Sequence, residues 1–198
     1  SGWGSVDIPL TDFSPVDLAA VIQLKFDGNG TIYLDNLYFH NGTSGGGGGG
    51  TPTMAAATPT FPSGDVISIF SDAYTNVAGT NLNPDWGQAT ATSEVMIDGN
   101  NTLLYANLNY QGTEFGSSQD VSGMDFLHLD FWTENATEFR IFLISPGPVE
   151  TSYTLTVPTA GWSNISIPLT EFSPVDLTDV FQIKVEGNGD IYLDNILF

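Results

Sequence analysis

The chain has 198 residues and no cysteine, and it carries 23 acidic against 3 basic side chains for a net charge of −20. That charge repels nucleic acid and anionic membrane, so neither is an expected partner. Without cysteine there is no disulfide and no thiolate metal site, and no apolar run is long enough for a membrane-spanning helix. No signal-peptide pattern is present; an exported protein would carry it outside this stretch.

In chain order, residues 1–39 hold enough β-branched and aromatic runs for about three strands, too few to fold without pairing to something. "NGTSGGGGGGTPTMAAATPTFP" (41–62) follows, with six consecutive glycines and then a Pro/Thr/Ala stretch. Glycine makes a flexible coil and the Pro/Thr part a stiffer extended one, so 40–62 reads as a linker that does not pack. Residues 63–198 are long enough to bury their own core. Their expected strands are 66–71, 87–97, 102–110, 126–133, 139–145, 152–158, 163–169, 180–187 and 191–198, separated by Gly, Asn, Asp and Pro. "FLHLDFW" alternates, with Leu127, Leu129 and Phe131 facing one way and His128, Asp130 and Trp132 the other. No segment has a convincing helical period. The expected fold is all-β, an antiparallel β-sandwich of the jelly-roll kind.

The chain also repeats itself. Gly2-Trp3 aligns with Gly161-Trp162 at an offset of 161 − 2 = 159, and the match runs gapless to Phe39 and Phe198. Of 38 aligned pairs 24 are identical, and most differences keep size and polarity, as in Asp12/Glu171 and Asp27/Glu186. This is a duplicated unit. Residues 1–39 read as the C-terminal fragment of a preceding repeat, 40–62 as linker and 63–198 as one β-sandwich module, a window on a tandem array. A partial duplication is the simpler alternative.

Three candidate sites stand out. In a sandwich the first and last strands are commonly neighbours, which would bring Asp72 of "SDAYTN" to Asp194 of "LDN". Two close carboxylates repel unless a cation lies between them, and calcium takes oxygens from carboxylates, amides and carbonyls. Asp72, Asn76 and Asp194 are therefore the expected ligands of a structural Ca2+, set against a plain reading in which Asp194 caps a turn. The second site is aromatic: Trp86, Tyr105, Tyr110, Trp132 and Trp162. Sugar rings stack on such faces while amides, carboxylates and one Arg take their hydroxyls. Trp86, Tyr105, Asn107, Trp132 and Arg140 are the expected ligand contacts, against the reading of Trp and Tyr as core. Third, Asp130 and Glu134 are a conceivable glycosidase pair. Carboxylates are common throughout the chain and no catalytic motif is present, so no enzyme activity is expected. The four N-x-S/T sequons are read as coincidence.

"DVISIFSDAYTNVAGT", "LLYANLNYQGTEF", "DVSGMDFLHLDFWT", "FLISPGP" and the closing "IPLTEFSPVDL…FQIKVEGNGDIYLDNILF" resemble β-sandwich modules of Bacteroidetes secreted and surface polysaccharide-utilisation proteins. The ending is similar to carbohydrate-binding modules with a galactose-binding-like jelly roll. The resemblance implies a structural calcium between an early loop and an Asp of the last strand, and a glycan site on the concave sheet or its edge loops. It names no signature residue for the sugar.

The expectation is a non-catalytic carbohydrate-binding module, tandemly repeated in a secreted or cell-surface protein. Linked modules would raise avidity on one polymer. With Arg140 and Lys184 the only basic residues of the module, a neutral glycan such as a β-glucan fits better than a sulfated one. The rival expectation is a calcium-stiffened spacer or adhesin repeat with no glycan site. Residues 1–39 would pair with neighbouring repeats.

Overall fold

In the computed structural model, residues 10–31, 50–158 and 161–198 are described. The chain divides into two compact units, residues 1–41 and 42–198. In the first, two short 3-10 turns, Leu10–Phe13 and Leu18–Ala20, are followed by chain with no strand among the described residues. Asp17 caps the second turn, its carboxylate accepting the Ala19 N–H at 3.0 Å.

The second unit is a sandwich of two antiparallel sheets, the jelly-roll-class fold expected from the strand pattern. Its strands are β1 (Ser68–Phe70), β2 (Ala91–Ile97), β3 (Asn100–Ala106), β4 (Tyr110–Gln119), β5 (Phe126–Trp132), β6 (Phe139–Ser145), β7 (Val149–Thr154), β8 (Ser163–Pro168), β9 (Val180–Gly187) and β10 (Ile191–Leu197). The six-stranded sheet runs β2-β3-β10-β5-β8, with β1 also paired to β10; the four-stranded sheet runs β4-β9-β6-β7. First and last strands are neighbours as expected, Ser68 opposite Leu197.

Alternation builds the core. Leu103, Leu127, Leu129, Phe131, Ile167, Ile191 and Leu193 point inward from the six-stranded sheet, and Phe139, Ile141, Leu143, Ile183 and Val185 from the other. Tyr105 joins them at 1 % exposure.

Two expectations are corrected. β4 was not expected beyond Tyr110, because "GTEFGSSQ" has two glycines and little β propensity. The glycines are there for close approach: a Cβ on Gly116 would lie 1.9 Å from the Ala78 carbonyl oxygen. The second correction concerns the linker. The glycines before residue 50 lie outside the described residues, but 50–62 packs. It runs along the outward face of the six-stranded sheet and buries Pro52 and Ala56. Thr51 Oγ1 meets the Tyr192 hydroxyl at 3.2 Å, the Met54 carbonyl accepts from Trp162 Nε1 at 2.8 Å, and the Ala57 carbonyl accepts from Asn195 Nδ2 at 3.2 Å. Gly50 N–H donates to Glu134, and the Phe61 ring stands edge-on to His128 at 5.5 Å. Small and Pro-rich residues suit this strap, since it packs backbone rather than bulky side chains against the sheet.

Candidate functional site

Pleating gives each sheet one face toward solvent, and the two faces differ. On the four-stranded sheet the register sets outward residues in rows. One row is Tyr110, Glu186, Arg140 and Thr154; the next is Gly112, Lys184, Phe142 and Ser152; the third is Glu114, Gln182, Ile144 and Glu150. Trp86, from the β1–β2 connection, covers the Gly112 end of the middle row. Any Cβ on Gly112 would fall 2.3 Å from its indole. Trp86 is locally fixed: its N–H donates to Gln88 Oε1 at 2.8 Å, its carbonyl accepts the Tyr110 hydroxyl at 2.8 Å, and its Nε1 donates to Glu114 Oε1 at 3.0 Å. The Asn-Pro-Asp segment before it ends in a tight turn closed by Gly87 at φ +77°.

Polar groups on this face are paired along the strands. Gln182 Nε2 donates to Glu114 at 3.3 Å. Lys184 Nζ lies 2.9 Å from Glu150 Oε2 and 3.1 Å from Glu186 Oε1, and 4.0 Å above the Phe142 ring centroid. The other Glu186 oxygen takes Arg140 at 2.7 Å. Two of the three basic residues of the chain are thus gathered here and neutralised by carboxylates. The Lys184 side chain is only 15 % exposed although it faces outward, because Glu150, Glu186 and the Phe142 ring cover it. Such a surface offers aromatic faces, fixed donors and fixed acceptors with little free charge.

On the six-stranded sheet the outward face lies beneath the strap. Tyr192 faces Trp132 and Asp194 faces Asp130. Trp132 is half-buried and edge-on to Tyr192 at 5.4 Å. Asp194, Asp130 and His128 are buried. A bulge after Asp194 puts Asn195 at φ +50°, the left-handed region that Asn tolerates better than most residues. Asn195 there donates to Asp130 Oδ2 at 2.7 Å and accepts the Ser71 hydroxyl at 2.7 Å. Asn164 Nδ2 donates to the other Asp130 oxygen at 2.7 Å. Asp194 takes the Asn195 N–H at 2.7 Å and the Asn100 amide. Burial pushes the Asp194 carboxyl up to about 6, with the charges of Asp130 and Asp72 adding to the rise. Burial also raises Asp130 and lowers His128.

The residues singled out in the sequence therefore scatter. Trp86 and Arg140 share the four-stranded face. Trp132 lies on the opposite face of the sandwich. Tyr105 is a correction: it points into the core, burial pushes its hydroxyl up to about 12, and no ligand reaches it. The alternation of β3 shows why, since Leu103 and Tyr105 share the inward phase. Asn107 is exposed in the β3–β4 turn at φ +51°, its N–H held by Asp190. Glu150, Glu186, Lys184, Gln182, Glu114 and Phe142 were not singled out. Only the pairing of β9 with both β4 and β6 brings them together. As to Asp130 and Glu134, the first is buried under amide donors and the second binds the strap.

For a metal, Asp72 and Asp194 do approach, close enough for one charge to raise the other's pKa. Asp72, Asn100 and Asn195 line a cleft of about 120 Å³ with Ala56, Thr58 and Pro59. Thr102, next to the Leu103 that pairs with Leu193, keeps a buried hydroxyl with no hydrogen-bond partner. Asn76 is a correction. Its amide oxygen accepts Ser68 Oγ at 2.6 Å and the Ser71 N–H at 3.0 Å, so it holds the β1 loop and has no lone pair left for a cation. Among the described residues, no three acidic or histidine side chains are grouped for a metal. The fit rests on two carboxylates and amide oxygens.

No protein-family model matches the chain, and no curated protein matches its sequence. Solved structures do. The family 11 carbohydrate-binding module of the cellulosomal cellulase Lic26A-Cel5E of Clostridium thermocellum is similar over 67 % of this chain and 92 % of its own, at 21 % identity and a TM-score of 0.47. A non-crystalline cellulose specific carbohydrate-binding module, CBM28, is similar over 65 % and 90 %, at 18 % identity and 0.46. An agarase, AgWH50C, is similar over 67 % of this chain and 24 % of its own, at 10 % identity and 0.46. Each is a likeness of fold at low identity, and none assigns a ligand to this chain.

Proposed function

We propose that residues 50–198 form a non-catalytic carbohydrate-binding module whose glycan lies across the outward face of the four-stranded sheet. The observation that carries this reading is the middle row of that face. There Trp86 sits over Gly112, beside a Lys184 packed on Phe142 and flanked by Glu114, Gln182, Glu186 and Arg140. A sugar ring stacks on the indole, and its hydroxyls exchange hydrogen bonds with groups already held in place, which lowers the ordering cost of binding. Arg140 and Lys184 are already neutralised, so the face suits a neutral polymer such as a β-glucan rather than a sulfated one. In a secreted or surface protein with tandem modules, weak single sites add up to avidity.

Calcium belongs to this proposal as a structural ion. Asp72 and Asp194 would hold it with amide oxygens of Asn100 and Asn195, and a divalent cation would relieve the repulsion now felt at Asp194.

Affinity electrophoresis against neutral and anionic polysaccharides tests the reading, with calcium or with chelator. One neutral polymer is expected to retard the wild-type chain, and Trp86→Ala to abolish that retardation while remaining folded. If a folded chain is retarded by no polymer, the spacer or adhesin reading takes its place. The packed strap of residues 50–62 favours that second reading, because it makes the start of the module stiffer than a free linker.

A further inference from the structure

The connection between β1 and β2 carries Trp86, and it is ordered by hydrogen bonds more than by apolar packing. Its two feet are fastened beside β4. Asn81 exchanges backbone hydrogen bonds with Glu114 at 2.8 and 2.9 Å. At the other foot, Asn109 Oδ1 accepts the Ala89 N–H at 3.0 Å, and Thr90 Oγ1 donates to the Tyr110 carbonyl at 2.8 Å. The middle of the loop, residues 83–88, has a different anchor. Gln111 lies on β4 between the outward Tyr110 and Gly112, so its side chain takes the inward phase, and it is 1 % exposed. Its amide nitrogen donates to Asn83 Oδ1 at 3.3 Å and to the Gly112 carbonyl at 3.0 Å. Its amide oxygen accepts from Gln88 Nε2 at 3.2 Å and from the Thr92 hydroxyl at 2.9 Å. Every donor and acceptor place of the primary amide is thus filled. Asn83 and Gln88 bracket Trp86 in the chain, and Thr92 belongs to β2 in the other sheet.

We infer that Gln111 is a positioning residue for glycan binding on the four-stranded face, setting the affinity through Trp86 without touching the sugar. The inference rests on the reading that the glycan stacks on Trp86. Gln88, held by Gln111 through its amide nitrogen, accepts the Trp86 N–H through its amide oxygen at 2.8 Å. The buried amide is therefore linked to the backbone of Trp86 through one side chain. The bond from Thr92 refers the loop to the opposite sheet, so the indole is fixed relative to the whole sandwich and not to β4 alone. A ring already held in place loses little freedom when a sugar stacks on it. A ring on a loosened loop loses more, and the affinity falls by the difference. The residue type is constrained as well. A glutamate here would turn an oxygen toward two acceptors, Asn83 Oδ1 and the Gly112 carbonyl. A leucine fills the space but leaves those groups, Gln88 and Thr92 without their partner. Gln111 is buried and points away from the glycan face, so an effect of its substitution on binding has to pass through the loop.

The test uses the full chain and hydroxyethyl cellulose, a soluble β-glucan, as the probe in affinity gels. Gln111→Leu is expected to weaken retardation about tenfold, the cost of ordering a freed loop on binding. Thr92→Val keeps Gln111 and removes only its bond to the other sheet. It is expected to weaken retardation in the same direction by about twofold to threefold, and it keeps the test readable if Gln111→Leu does not fold. Ile167→Val trims the core on β8, at the far edge of the other sheet, and is expected to bind as the wild type does. A second readout needs no ligand. The chain is labelled with 5-fluorotryptophan, and the Trp86 line among its four tryptophans is assigned with Trp86→Phe. In Gln111→Leu and Thr92→Val that line is expected to shift, and in Ile167→Val to stay. The inference is overturned if a folded Gln111→Leu chain, or Thr92→Val in its place, binds as the wild type does or leaves the Trp86 line where it was. It is equally overturned if Ile167→Val weakens binding as much, because lost stability alone would then explain the effect. Failure of the glycan reading looks different: the wild-type chain is not retarded, or Trp86→Ala is retarded as the wild type is, and the inference falls with it.

Discussion

A side chain on residue 112 and the indole of Trp86 exclude one another: a Cβ there would lie 2.3 Å from the Trp86 ring. Gly112 is thus the seat on which the half-buried Trp86 of the four-stranded face rests, and sequence alone shows no link between the two residues. Gly112→Ala is expected to push the indole off its seat and break its bond to Glu114. The cost to stability is expected to be about 1–3 kcal/mol, because a rigid ring held by a hydrogen bond to Glu114 must move. Polysaccharide retardation is expected to fall as far as in Trp86→Ala. Unchanged binding in a folded Gly112→Ala chain would remove Trp86 from the site.

Asn195 ties three elements together, reaching Asp130, Ser71 and the strap carbonyl of Ala57. Asn195→Ala leaves a buried carboxylate short of a donor and forces a residue with less tolerance into φ +50°. A loss of about 3 kcal/mol in urea unfolding is expected. A loss below about 1 kcal/mol would mean that the bulge is not a tie point.

The pH dependence follows from Asp194. Its carboxyl is raised from 3.8 to about 6 in the fold, first by burial. The folded state therefore holds this proton more tightly than the unfolded one. The stabilising contribution is full below about pH 4, is lost as pH rises to about 6, and is flat above that. The change is at most about 3 kcal/mol, from the size of the shift. It is isolated by comparing the wild-type chain with Asp194→Asn at each pH in chelator. Calcium held by Asp194 would reverse the sign, because the ion favours the charged form. A titration that keeps the same sign in excess calcium would count against the metal.

The two copies of the repeat predict unequal mutants. Phe172→Ala opens a cavity in the core and is expected to cost about 3–5 kcal/mol. Phe13→Ala, at the matching position of the first copy, is expected to stay within about 0.5 kcal/mol in the dilute chain. Denaturant titration of both variants decides it. A large loss from Phe13→Ala would show that the first segment is already packed.

The strands were legible where apolar residues alternate with polar ones, as in "FLHLDFW", and where Gly and Asn mark the turns. β4 was not, because its glycines serve packing partners that lie elsewhere in the chain. Arg140 and Trp86 were recognisable as unusual residue types. Glu186 and Lys184 were not, since they look like ordinary surface charges until β9 is placed beside β6. The strap read as linker because its composition lacks bulky apolar groups, and composition does not report backbone packing against a sheet.

What the sequence by itself determined is everything that depends on near neighbours in the chain: the period-two strands, the Gly turns, the gapless duplication, and the 3-10 turn formed alike in both copies. What only the tertiary structure decided is which positions of the segment 161–198 are core. It also decided which aromatics meet solvent, and which carboxylates become buried beside one another. Those outcomes depend on strand pairing between residues as far apart in the chain as Ser68 and Leu197, 197 − 68 = 129 positions. A local pattern specifies that a face is apolar or polar; it does not specify what will cover it.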